Sequence, residues 1–163
     1  MDRMDKHEQK ILTDFLERFD TLFHRIVNKM NKLEKKPRHF GTAHLLYGSE
    51  IHTIEAIGKN PGISVTELAH IQGVTKGAVS QIIQKLEKKK LIIRMKNMNS
   101  DKQVFLKLSD LGDVAFKAHD AFHARVFPVL VKAIKQTDTK TLDKMEVVLG
   151  AIDDFCDKAI EQA

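Results

Sequence analysis

The chain of 163 residues contains 42% apolar and 30% charged residues, which excludes a wholly disordered protein and is enough for one globular fold with its own core. Its one cysteine excludes an intrachain disulfide framework, and its charged N-terminus lacks the apolar stretch of a secretory signal, so we expect a cytoplasmic protein. The net charge of +5 is modest, but nine basic residues and only two acidic ones lie between positions 74 and 107. Such a local basic block is typical of a surface that lies against phosphates.

Both ends of the chain carry the pattern of long amphipathic helices. Between residues 11 and 33 the apolar residues recur at steps of three and four, which predicts a helix that ends near Lys36-Pro37. A second apolar row widens this stripe, and residues 142–160 repeat the pattern. Because helices this apolar usually have a partner, we expect residues 1–48 and 109–163 to hold a homodimer together.

The middle of the chain predicts three short helices in succession. Ser49 is a candidate N-cap for the first of them. Ser64 stands three residues before Glu67, the spacing of a capping box, and opens the second helix, which Gly73 ends. Thr75 caps the third. Two helices joined by a short turn around Gly73 form a helix-turn-helix.

After the third helix, the spacing of the apolar residues is no longer that of a helix. Residues 91–96 and 102–108 are rich in β-branched and apolar side chains, and each segment predicts a strand. The polar residues 97–101 between them predict a turn. A hairpin in this place is a wing.

Ser109 is a candidate cap for the last pair of helices, predicted at about 110–136 and 140–161, and Pro128 is expected to kink the first of them. The predicted fold is mainly α with a small β-hairpin wing: a winged helix-turn-helix over residues 49–108 between N- and C-terminal dimerisation helices.

The helix that begins at Thr75 combines an apolar stripe with a polar face. Glutamine side chains can pair with adenine, serine and lysine can meet bases or phosphates, and Gly77 lets the helix start approach a backbone closely. The wing adds positive charge beside this helix. The alternative is that the polar face of this helix is only exposed to solvent and binds nothing. For Lys88-Lys89-Lys90 the alternative to phosphate contact is a helix end whose positive charge complements the helix dipole. The residues predicted to bind DNA are Thr75, Lys76, Gly77, Ser80, Gln81, Gln84, Lys85, Lys88, Arg94, Lys96, Asn99 and Lys102.

In these motifs the chain resembles the MarR family of winged helix-turn-helix transcriptional regulators. The resemblance implies a homodimer on a pseudo-palindromic operator in double-stranded DNA, repression, and release by a small ligand. It rests on residues 64–69, 74–80, 86–92 and 108–112.

The resemblance also bears on the wing and on an effector site. Wings of the family carry Asp, any residue and Arg near the tip, whereas Asp101 and Lys102 are followed here by Gln103, so the role of that arginine passes to Lys102. Effector pockets of the family lie between the dimer helices and the DNA-binding lobe. The residues that the resemblance assigns to such a pocket are Phe40, His44, Tyr47, His52 and His119.

A metal site and an enzyme are the remaining possibilities. His119 and His123 have an i, i+4 spacing that metals can use, but two ligands are not a site; one of four other histidines would have to complete it: His24, His39, His44 or His52. We therefore predict no metal and no cofactor and keep a metal-responsive regulator as an alternative. No phosphate-binding glycine loop or paired nucleophile and base is recognisable, so we predict no enzymatic activity. The alternative from another class of function is a winged-helix module that docks onto protein and does not bind DNA sequence-specifically.

Overall fold

The computed structural model describes residues 5–97 and 100–162, without the side chains of residues 96–103. By compactness the chain divides into two units, residues 1–119 and 120–163. The helices and strands of the described residues are α1 (Lys6–Glu34), α2 (Gly48–Lys59), β1 (Ile63–Ser64), α3 (Val65–Ile71), α4 (Lys76–Lys88), β2 (Ile92–Asn97), β3 (Ser100–Leu108), α5 (Asp110–Val126), α6 (Pro128–Lys135) and α7 (Thr139–Glu161).

The first helix confirms the N-terminal pattern and leaves its apolar stripe uncovered. Asp5 caps α1 and forms a capping box with Glu8, so the helix begins one turn before the first periodic apolar residue. None of the residues of α1 is buried. Ile11 and Phe15, for example, are each about half exposed, at 55% and 51%.

The core of the first unit lies where α2, α3 and α4 pack under the sheet. Fully buried aliphatic side chains come from each of these helices, and apolar burial of this kind contributes about 1.5–3 kcal/mol per large side chain. The core residues are Leu46, Ile51, Ile54, Ile57, Ile63, Leu68, Ala69, Val79, Ile83, Leu86, Leu91, Ile92, Leu106 and Ala115.

The N-terminus of α2 differs from the prediction. Tyr47, not Ser49, is the N-cap, because the carboxylate of Glu50 accepts the Tyr47 backbone N–H at 3.0 Å. Ser49 lies inside the first turn, where its carbonyl accepts the Thr53 hydroxyl at 2.7 Å. The other predicted caps are confirmed: Ser64 with Glu67 on α3, and Thr75 on α4.

The sheet has three antiparallel strands in the order β1-β3-β2. The two strands of the wing were predicted, and Ile92 opposite Leu108 sets their register. The two-residue strand β1 was not, because its two residues give no period to detect. It pairs Ile63 with Leu106 and thereby joins the wing to the start of α3.

Ser109 caps α5 as predicted, since its hydroxyl accepts the Gly112 N–H at 3.0 Å. The predicted kinked helix is instead two helices: α5 ends at Val126, and Pro128 occupies the first turn of α6, where its missing N–H breaks no bond. In the second unit neither α6 nor α7 has a buried residue. Among the described residues, no helix has the length and apolar character needed to cross a membrane.

Candidate functional site

The two faces of α4 have opposite character. Val79, Ile83 and Leu86 are fully buried. The polar positions predicted to read DNA point the other way: Ser80 is half-buried, and six are exposed, namely Lys76, Gly77, Gln81, Gln84, Lys85 and Lys88. The first turn contains no acidic residue that would repel a phosphate.

Gly77 has no structural reason to be glycine. A methyl group built on it would meet only the Thr75 hydroxyl, at 3.8 Å, which is an ordinary contact. Within the helix glycine is less favourable than alanine. The open space above Gly77 therefore agrees with a close approach of this helix turn to a partner.

The C-terminal end of α4 is fixed by backbone and side-chain bonds. Leu91 N–H donates to the Leu86 carbonyl at 2.9 Å and Lys90 N–H to that of Glu87 at 2.8 Å, which is the pattern of a Schellman cap. Lys90 holds the left-handed position of this cap, with φ of 57°. This turn sets the direction in which β2 leaves the helix.

The wing is tied to α4 by a charged pair. Arg94 Nε donates to Glu87 Oε1 at 2.7 Å, so part of this guanidinium is engaged within the protein. Lys107 on β3 is exposed. Of the other wing residues predicted to bind DNA, the side chains of Lys96 and Lys102 lie outside the described part of the chain, as does all of Asn99.

A second cluster of functional side chains lies in the first unit, where α2 meets α5. His52 and Glu55 are on α2, and His119, only 3% exposed, is on α5. Glu55 Oε2 lies 3.4 Å from Nδ1 of His52 and 3.6 Å from Nδ1 of His119. Glu34, the last residue of α1, approaches the other nitrogen of His52, with Oε1 2.9 Å from Nε2.

The carboxylate of Glu55 is held in its charged form. Burial acts to raise its pKa, but hydrogen bonds from Lys59 and His52 outweigh burial and leave the pKa below its ordinary value. Lys59 Nζ is 2.6 Å from Oε1, so the two oxygens of Glu55 have different partners.

Three of the five residues assigned to an effector pocket come together. The His119 ring packs edge-on against Phe40 and His52, with centroids 5.3 and 5.1 Å apart. His44 and Tyr47 do not line the small cavity that these three share, and Tyr47 is 51% exposed at the start of α2. Glu55 was missed because carboxylates three residues from a histidine are common on helix surfaces.

A larger groove lies beside α2. It has a volume of about 470 Å³ and is lined mainly by residues of α2 and of the turn between α3 and α4, together with Ile82. His52 and Glu55 form part of its wall. The volume falls within the range of small-molecule sites.

Sequence comparison supports the assignment of the central region. Residues 46–97 match the family model described as MarR family. Over 95 residues the chain is 28% identical to the uncharacterized HTH-type transcriptional regulator YhjH of Bacillus subtilis (strain 168), an alignment that covers 58% of this chain and 54% of that protein. The chain therefore matches about half the length of this relative.

Two solved structures extend the likeness to the whole fold. FabT of Streptococcus pneumoniae, solved in complex with DNA, superposes with a TM-score of 0.61 at 23% identity, covering 90% of this chain and 98% of FabT. ZitR of Lactococcus lactis, described as a zinc-responsive MarR family member, gives a TM-score of 0.63 at 13% identity, covering 86% and 97%. Residues 46–97 are therefore similar to the MarR family, and the two solved structures have the same fold as this chain.

Proposed function

We propose that the chain is a transcriptional regulator that binds double-stranded DNA as a homodimer. Each subunit places α4 in a major groove of a pseudo-palindromic operator, the wing lies beside it, and the dimer represses by occluding a promoter. Residues 49–108 form the DNA-binding region, and residues 1–48 and 109–163 supply the dimer interface. The function is binding, with no chemical reaction.

The observation that carries this proposal is the exposed face of α4. Its amide, hydroxyl and ammonium groups have the lengths and donor patterns that read base edges, and they stand on a rigid helix fixed at both ends. The surrounding segment is strongly basic, as phosphate contacts require. The match to the MarR family and the DNA complex of FabT support the same function.

The dimer is supported by apolar side chains that the single chain leaves exposed. On α1 these include Leu16 and Ile26, at 52% and 48% exposure. On the second unit Val129 and Ile160 are 82% and 73% exposed. Exposed apolar stripes of this kind mark an interface, and a second copy of the chain offers the same stripes as partners for both helical ends.

Selection of bound sequences from a random duplex pool tests the proposal. We expect a palindromic motif with half-sites about one helical turn apart, roughly 34 Å, and an affinity that falls steeply with salt while the preference for the motif persists. A pool without an enriched motif would overturn the proposal and favour a module that docks onto protein.

A second candidate function is regulation by a metal ion. It is favoured by one observation, the cluster of metal-ligating side chains formed by His52, Glu55 and His119. The zinc response described for ZitR belongs to that protein and offers a precedent on the same fold. Comparing DNA affinity with and without added Zn²⁺ tests this candidate.

A further inference from the structure

We infer that His52, Glu55 and His119 form a binding site for a divalent transition-metal cation of the zinc type, and that Glu34 orients the ring of His52 toward the ion. Binding of the ion does not depend on the proposed DNA binding. Only its use as a regulator rests on the proposed function. The three ligand atoms come from α2 and α5 and lie within 4.8 Å of one another.

The spacing of the ligand atoms fits a tetrahedral ion. Two atoms each about 2.1 Å from a tetrahedral zinc ion are roughly 3.4 Å apart. Nδ1 of His52 and Nδ1 of His119 lie 3.4 and 3.6 Å from the same oxygen of Glu55. These two separations are close to the tetrahedral value, and all three ligand atoms lie within 4.8 Å of one another, so side-chain shifts alone can bring them to coordinating positions.

Each ring nitrogen of His52 faces a carboxylate. Nε2 of His52 lies 2.9 Å from Glu34 while Nδ1 faces Glu55, and a neutral imidazole has only one N–H to give. If Nε2–H donates to Glu34, the Nδ1 lone pair points at the second carboxylate. An ion between Nδ1 and Glu55 would satisfy both groups at once, and the contact from Glu34 would then be the carboxylate–histidine arrangement that supports metal ligands.

One side of the site is buried, whereas His52 and Glu55 border the groove beside α2. His119 is almost completely buried, and its ring is held between His52 and Phe40. Phe40 adopts a φ of 43°, a left-handed conformation that is rare for an aromatic residue. A cavity of about 40 Å³ adjoins Glu34, His52 and His119, which is room for a water molecule or an ion.

The ligand set indicates the class of cation. Two imidazoles and one carboxylate suit zinc and its neighbours among the first-row metals, whereas Mg²⁺ and Ca²⁺ prefer oxygen ligands alone. Three protein ligands leave the fourth position of a tetrahedral ion for water or another group, which is the pattern of an exchangeable site. Lys59, 2.6 Å from the other oxygen of Glu55, keeps that carboxylate from binding through both oxygens.

Coordination would link helices that now meet through side-chain contacts alone. The ion joins α2 to the 110–119 part of α5, and Glu34 adds the end of α1 through His52. Because α2 also packs on α4, we expect occupancy of the site to affect the position of the DNA-reading helix.

Competition for Zn²⁺ with a chromophoric chelator, without DNA, tests the site in the full-length protein. We expect one high-affinity zinc ion per chain, weakened roughly 10- to 100-fold by Glu34→Gln and more strongly by His52→Gln and His119→Gln. The matched control is His24→Gln, an exposed histidine beside Asp20 that should leave zinc affinity unchanged. Circular dichroism verifies that each variant is folded, and His52→Gln, at a partly exposed position, keeps the test decisive if His119→Gln does not fold.

The outcomes separate the site from the proposed function. No zinc binding by the wild type, or an equal affinity in His24→Gln and His52→Gln, would overturn the site even if DNA binds. Zinc binding that His52→Gln abolishes would establish the site even if no DNA motif exists. A DNA affinity that changes with zinc in the wild type and not in His52→Gln would establish the regulatory use.

Discussion

Lys89 Nζ lies 2.6 Å from Oε1 of Glu50 and also donates to the Leu45 carbonyl at 2.8 Å. The side chain of Glu50 is 5% exposed, and its second oxygen accepts the Tyr47 N–H. The end of α4 is thereby tied to the start of α2 by a largely buried ion pair. The middle lysine of the Lys88-Lys89-Lys90 run is therefore part of the protein's packing.

Removing this lysine should destabilise the fold more than removing its neighbour. In Lys89→Met the buried carboxylate of Glu50 loses its counter-charge, and we expect a loss of about 2–3 kcal/mol, below the full value for a buried pair because Lys89 is a quarter exposed. Lys88→Met, at an exposed position, should change stability by less than about 0.5 kcal/mol. Urea denaturation at one protein concentration measures both, and equal midpoints would contradict the structural role.

Replacing Gly77 should raise the stability of the fold and lower its affinity for DNA. Gly77→Ala adds a methyl group in open space and improves helix propensity, so we expect stability to rise by up to about 1 kcal/mol. If the helix start lies against the DNA backbone, affinity should fall about 10-fold, a change of 1.4 kcal/mol. Gly150→Ala on α7, also in open space and on the acidic face with Glu146 and Asp154, is the control that should leave DNA affinity unchanged. An unchanged affinity in Gly77→Ala would place this turn away from the duplex.

A charge on the exposed stripe of α1 should dissociate the dimer. Ile26→Glu would cost about 2 kcal/mol of apolar burial in each copy, which predicts at least a 10-fold higher dissociation constant. Asn28→Glu introduces the same charge two residues away, on the opposite face of the helix, and should keep the dimer. Sedimentation velocity over a concentration series distinguishes the two, and an Ile26→Glu dimer as tight as the wild type would exclude this stripe from the interface.

The capping box of α3 should be visible in a titration. Hydrogen bonds from the side chain and backbone of Ser64 hold the pKa of Glu67 below its ordinary value. The stabilisation from this carboxylate is therefore present above its unfolded-state pKa and is lost as the pH falls through the folded-state value. In Ser64→Ala the Glu67 pKa, followed by NMR of the side-chain carboxyl carbon, should move up toward that of a free glutamate. No movement would mean that Ser64 is not its main partner.

The sequence predicted the features that have a local signature. The capping box at Ser64, the cap at Thr75 and the buried stripe from Val79 to Leu86 each follow from spacing within one element, and the structure confirms them, although Ile82 is only partly buried. The order of the elements followed from the same patterns along the chain, and the resemblance to the MarR family was drawn from it.

Features that depend on distant residues were missed or misplaced. The Lys89–Glu50 pair joins residues 39 positions apart. The Tyr47 cap was missed for a local reason: Glu50 stands at the capping-box spacing, but tyrosine is not a usual N-cap residue. The histidine pair with a metal-like spacing was His119 and His123, whereas the structure places His119 beside His52 and Glu55. Spacing along one helix cannot indicate which side chains a second helix brings to it.

The central claim, that the exposed face of α4 reads base edges, is tested most directly by Gln84→Ala. Duplex selection with the wild type and the variant, at one salt concentration, compares their preferred sequences. We predict a changed preference at one base-pair position in each half-site, with a loss of about 1–3 kcal/mol on the wild-type motif. An identical motif, with affinity lowered equally on all duplexes or not at all, would contradict the claim.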